Sequence, residues 1–108
     1  MVKCVKHNQD FLKSVATASR YIRKKLIRKA TPEQIKALSQ ISRNIAEEIV
    51  PLKPREVEKI VKGGYRKHIK ETACNNKGVE CKRRVFYQHG GFLQFIIPAA
   101  FLYLKDYL

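Results

Sequence analysis

Six side chains in this sequence could do chemistry of their own: Cys4, His7, His68, Cys74, Cys81 and His89. Thiolates and imidazoles are zinc ligands and the usual partners in nucleophilic catalysis. Cys4 and His7 stand as C-x2-H, a plausible local pair. The other spacing, His-x5-Cys-x6-Cys-x7-His, fits no standard zinc finger. Cys74 or Cys81 could be paired with a histidine, but no third group orients the base and no oxyanion donors are evident. Neither Gly63-Gly64 nor Gly90-Gly91 forms a phosphate loop. No metal, no cofactor and no enzymatic activity are expected, and each cysteine is expected to act as a small buried apolar residue. An odd number of cysteines without framework spacing fits reduced thiols in an intracellular or intravirion setting.

The abundant chemistry is cationic. The chain has 23 Lys and Arg against 9 Asp and Glu, a formal charge of +14 over 108 residues. Residues 1–30 hold nine basic and one acidic side chain, and residues 52–89 hold eleven and four. Between them, residues 31–51 carry a net charge of −1, and residues 90–108 are neutral. Two basic blocks therefore flank a near-neutral segment, and an apolar one follows. Such segregation points to polyanionic partners, nucleic acid first and an anionic membrane surface second.

These cations must be carried on helices. Leu12, Val15, Ser19, Ile22 and Leu26 recur at steps of three and four, which predicts one helix over 9–29. Thr31-Pro32-Glu33-Gln34 is a capping-box start. It leads into a helix with Ile35, Leu38, Ile41, Ser42, Ile45 and Ile49 on one face, ended by Pro51. Pro54 opens a third helix with Val57, Ile60, Val61 and Ile69 inward, weakened at Gly63-Gly64 but continuing to about residue 72. A fourth covers Val79 to Gln88, until Gly90-Gly91 breaks it. The expected fold is all-α, a three- to four-helix bundle with an apolar C-terminal helix or tail. The chain divides into a basic helical domain, 1–89, and an apolar segment, 90–108.

Phe92 to Leu104 is apolar except for Gln94 and Pro98. A spanning helix needs about 20 apolar residues, so no transmembrane segment is expected. Nor is a signal peptide, since the N-terminus has no apolar run. Three roles stay open for the tail. It could be the last core helix with Phe95, Phe101 and Leu102 inside, a membrane contact through residues 92–108, or a removable or partner-binding segment.

The run Lys29-Ala30-Thr31-Pro32-Glu33-Gln34-Ile35-Lys36-Ala37-Leu38, a basic segment, and then Gly90-Gly91-Phe92-Leu93 with Pro98 resemble a small virion-core protein. The relatives are the core-protein X (pre-mu) precursors of adenoviruses and the products of adintovirus or Polinton-type elements. The resemblance implies a protein of the virion core or host nucleus that condenses double-stranded viral DNA. It also implies processing by the viral cysteine protease at Gly90-Gly91, with Gln88 standing where that protease favours an aliphatic residue.

The residues expected to contact DNA are Arg20, Arg23, Lys24, Lys25, Arg28 and Lys29, with Arg66, Lys67, Lys70, Lys82, Arg83 and Arg84 as a second patch. Lysine and arginine neutralise phosphates and release condensed counterions. A helix-turn-helix from 31–49 and 54–72 would need base-reading side chains at the start of its second helix, and no run of Asn, Gln or Arg stands there. Binding is therefore expected to be independent of sequence.

Overall fold

The computed structural model describes residues 2–105, and among these it is all-helical. The elements are α1 (Val2–His7), α2 (Gln9–Thr17), α3 (Arg20–Lys29), α4 (Pro32–Ala46), α5 (Pro54–Lys62), α6 (Arg66–Ala73), α7 (Val79–His89) and α8 (Leu93–Leu104), with a 3-10 turn at Gly90–Phe92 between the last two. The three- to four-helix count is therefore too low. Two of the expected helices are each broken in two, and local chemistry explains both breaks.

The helix expected over 9–29 stops at Thr17. Ala18 is extended and Ser19 becomes an N-cap, accepting the Ile22 N–H at 3.4 Å. Serine is among the best N-cap residues, because its hydroxyl satisfies an otherwise orphaned amide. The break resets the helical phase. Leu12 and Val15 are buried as expected, but inward of the break it is Arg23 and Ile27 that are buried, while Ile22 is 45% exposed.

Gly63-Gly64 ends α5 instead of weakening it. Gly64 takes φ +71°, left-handed backbone that interrupts a helix and that glycine adopts without a side-chain clash. The stripe divides with it: Ile60 and Ile69 are buried, whereas Val57 and Val61 remain exposed.

The capping box at Thr31 forms as expected. Gln34 N–H donates to Thr31 Oγ1 at 3.2 Å, and Thr31 N–H donates to Gln34 Oε1 at 2.9 Å. The helix that follows, α4, packs against α1, α2, α6, α7 and α8 and buries Ile35, Leu38 and Ile41 completely. It ends at Ala46, before Pro51 can act. Glu48 adopts φ +58°, and the amides of Glu48 and Ile49 bond back to the carbonyls of Ile45 (3.1 Å) and Asn44 (2.9 Å). This is a Schellman closure with glutamate in the position that glycine usually takes.

Residues 92–104 form the last core element. Phe92, Leu93, Ile96, Ile97 and Ala100 are fully buried, and α8 lies against α2 and α4. The inward set differs from the expected one. Phe95 and Phe101 are only half-buried, and Leu102 is 62% exposed. Both rings sit at the rim beneath cations, with Lys59 Nζ 5.2 Å from the Phe95 centroid and Lys13 Nζ 6.0 Å from that of Phe101. Helical continuity through the 3-10 turn makes Val79–Leu104 one run of 26 residues, long and apolar enough by length and composition to cross a membrane. The same run supplies buried core residues, as a core helix of a globular protein does.

The two double glycines meet at one side chain. A Cβ on Gly63 would lie 2.5 Å from Tyr65 Cε2, and one on Gly91 would lie 2.6 Å from Tyr65 Oη. The Tyr65 ring passes between them to reach Phe92, centroids 5.8 Å apart, and Phe92 in turn meets Phe86 at 6.2 Å. Gly91→Ala is therefore expected to destabilise the fold by about 1–3 kcal/mol through overpacking. Removing the hydroxyl leaves Tyr65 Cζ, at 3.3 Å, as the nearest atom to that Cβ, so Tyr65→Phe should recover most of the loss. Urea unfolding of the two single variants and the double variant measures this coupling, and strictly additive losses would remove Tyr65 as its cause.

Candidate nucleic-acid interface

The candidate interface starts from the sequence of α3, Arg-Tyr-Ile-Arg-Lys-Lys-Leu-Ile-Arg-Lys, which contains no carboxylate. With Arg23 and Ile27 turned inward, the polar side carries two rows at steps of four, Arg20-Lys24-Arg28 and Tyr21-Lys25-Lys29. Arg20, Lys25, Arg28 and Lys29 are exposed and Lys24 is half-buried. Tyrosines lie among them. Lys25 Nζ is 4.5 Å from the Tyr21 centroid and Lys24 Nζ is 5.0 Å from that of Tyr87 on α7. Arg28 Nη2 donates to Tyr87 Oη at 2.6 Å. Arg84, also on α7, is exposed. Arg28 and Lys29 stand in the last turn of α3, where a cation suits the negative end of the helix dipole.

Three of the twelve expected contacts are committed to the fold instead. Arg23 is 8% exposed and lies against Gly90, its Nε 3.5 Å from where a Cβ would stand. Burial lowers its pKa. Arg83 closes the C-terminus of α3. Its Nη1 donates to the carbonyls of Ile27 (2.8 Å) and Ala30 (2.7 Å), and its Nε to Glu80 Oε2 (3.1 Å). Lys82 Nζ donates to Ser39 Oγ at 2.7 Å, and that hydroxyl donates to the Thr72 carbonyl at 2.7 Å. Burial, and then the charge of Arg43, lower the Lys82 pKa. The sequence gives no sign of these roles, because a long basic side chain folded onto carbonyls reads the same as one in water.

Arg66, Lys67 and Lys70 on α6 are exposed. Arg66 and Lys70, one turn apart, line a groove of about 460 Å³ with Ile45, Val57, Ile60 and Ile69. Both α3 and α6 pack on α7. Gly90 and Gly91 lie in the 3-10 turn, Gly90 buried and Gly91 half-buried, so the folded chain offers no extended segment to a protease there.

A further group of cations was missed. Lys36 and Arg43 lie in the near-neutral segment, yet structure gathers them with Lys77 around Lys82. The signal was present as Lys36, Ser39, Gln40 and Arg43, a polar stripe at helical spacing on α4.

Among the described residues no three His, Cys, Asp or Glu side chains converge to hold a metal. The cysteines are less buried than expected: Cys4 and Cys74 are half-buried and Cys81 is exposed. His68 and His89 stack with centroids 4.0 Å apart and planes 4° from parallel. No family model, no curated protein and no solved structure matches the chain.

Burial and the neighbouring His89 lower the pKa of His68, whose buried Nδ1 has no hydrogen-bond partner. A base with a depressed folded pKa binds its proton more readily when unfolded, so stability falls as pH drops below the unfolded value of 6.5. The melting temperature is expected to fall as the pH is lowered through 6.5 and below, and His68→Gln should flatten that dependence. An unchanged profile in the variant would assign the acid sensitivity to other groups.

Proposed function

We propose that the chain is a non-enzymatic, sequence-independent binder and condenser of double-stranded DNA, with the exposed side of α3 and Arg84 as its main contact surface. The observation that carries this reading is the two-row face of α3. Its five outward cations, Arg20, Lys24, Lys25, Arg28 and Lys29, have no ion-pair partner among the described residues. A helix of ten residues is about 15 Å long, which matches about four base-pair steps at 3.4 Å. Cations in rows can then track a phosphate backbone without reading bases. Arg66, Lys67 and Lys70 add exposed positive charge on α6, which also packs against α7.

The resemblance to adenovirus-type core-protein precursors supports the same reading and suggests a setting, the virion core or host nucleus. On this reading the viral cysteine protease acts at Gly90-Gly91 only when the 3-10 turn opens, because Gly90 is buried in it. The alternative is action on a membrane or protein partner through residues 92–108. It is supported by less, since most large side chains in 92–104 are spent on the core and only Leu102 and Tyr103 are strongly exposed.

Duplex binding measured across salt concentrations tests the proposal. Six phosphate contacts, from the five α3 cations and Arg84, give a slope of log K against log salt of about −5. Replacing Lys24, Lys25 and Lys29 with Gln should make that slope shallower by about 3 while leaving the melting temperature unchanged. Two duplexes of unrelated sequence should bind alike. Affinity indifferent to salt, or confined to one sequence, would sink the reading.

A further inference from the structure

The cations around Lys82 form a different kind of site from the face of α3. A cleft of about 340 Å³ opens between α4, the loop at 74–78 and the first turn of α7. Lys36, Arg43, Lys77 and Lys82 line it, with Ser39 and Asn75 among the polar groups between them, and no carboxylate lines it. Of the neighbouring acids, Glu47 pairs with Arg43 itself, 3.7 Å from its Nε, so one of the four cations has a counter-charge, and Glu80 holds Arg83. Lys82 is fixed at the inner wall by Ser39, which uses one of its three ammonium protons. Gly78 and Val79 also line the cleft, and Gly78 gives α7 no side-chain cap, so first-turn amides add to the positive potential.

Gathering four cations around one exposed carboxylate costs Coulomb energy, which water screens only in part. A multiply charged oxyanion relieves it and supplies acceptors for ammonium, guanidinium and amide donors together. We propose that this cleft is a phosphate-binding site, taking a phosphoryl group with two or more ionised oxygens between Lys36, Arg43, Lys77 and Lys82. A carboxylate has one charge for these four donors and is the poorer fit. The site stands independently of the DNA reading, because it does not use the α3 surface and is measured without DNA.

Isothermal titration of the full chain with pyrophosphate at constant ionic strength provides the test. One molecule is expected to bind per chain. The double variant K36Q/K77Q changes two exposed side chains that form no ion pair among the described residues, so it should fold as the parent does. It is expected to weaken pyrophosphate binding by about tenfold or more, as loss of two charge-assisted contacts would. The control K24Q/K25Q, on α3, should change it by less than about twofold. Equal weakening by both double variants would reduce the effect to net charge, and no binding above that of chloride would end the proposal. A competition arm identifies the source of the phosphate. Displacement of pyrophosphate by a short duplex means that the cleft seats a backbone phosphate, whereas simultaneous binding means that it serves a free phosphate compound. If duplex binding fails and pyrophosphate binding survives with these variant effects, the DNA reading falls and the cleft stands.

Discussion

The fold is shaped by a shortage of carboxylates. With 9 acidic side chains for 23 basic ones, most cations cannot find an ionic partner. The three ion pairs among the described residues all lie within one turn of a single helix, at i,i+3 or i,i+4. Pairs of that kind contribute about 0.3–0.5 kcal/mol each and do not join one helix to another. Where a cation does link elements it uses neutral oxygen: Arg83 on the carbonyls that end α3, Lys82 on the Ser39 hydroxyl. The Arg83 contact combines hydrogen bonding with the negative end of the α3 dipole. It holds the most basic helix of the chain against α7 without needing an acid.

Since electrostatics opposes compaction at +14, apolar burial has to supply the attraction. That requirement gives a physical reason for the neutral segments. Near-neutral α4 sits at the centre, and α8, without a charged residue, lies against it and against α2. A fully buried large aliphatic or aromatic side chain contributes about 1.5–3 kcal/mol. Phe92, Leu93, Ile96 and Ile97 are all fully buried, so α8 is a large part of what offsets the repulsion of the basic helices. The radius of gyration, 12.4 Å, is close to the roughly 13 Å expected for a compact chain of this length, which an extended tail would exceed.

Much of this was legible in the sequence, and the failures share a cause. Capping chemistry was readable where it was strong, so Thr31-Pro32-Glu33-Gln34 placed the start of α4 correctly. Periodicity was readable within a helix but not across a hidden break. Ser19 satisfied the apolar stripe by position while its hydroxyl made it a cap. Just beyond it the phase is shifted, so Ile22 is exposed where the stripe places it inside, and Arg23 is buried where it is expected outside. Gly63-Gly64 was read as a weakness and Gly90-Gly91 as a joint, because nothing local says that both make room for Tyr65. Long-range packing of one ring against two turns leaves no periodic trace.

Burial, and not residue type, separates the cations into two regimes. On α3 they stand in water, where screening over about 8 Å at physiological salt makes each one weak and interchangeable. Their removal costs the fold little, so their density is free to answer to a partner. Around Lys82 and Arg83 the same residue types are held by named, partly buried oxygens, and loss of one removes a hydrogen bond worth about 0.5–1.5 kcal/mol. A charge count treats both alike. The consequence is that net charge alone overstates the freely exposed positive surface of such a protein: Arg23 and Arg83 are spent on its architecture, and Lys82 is held in place by Ser39.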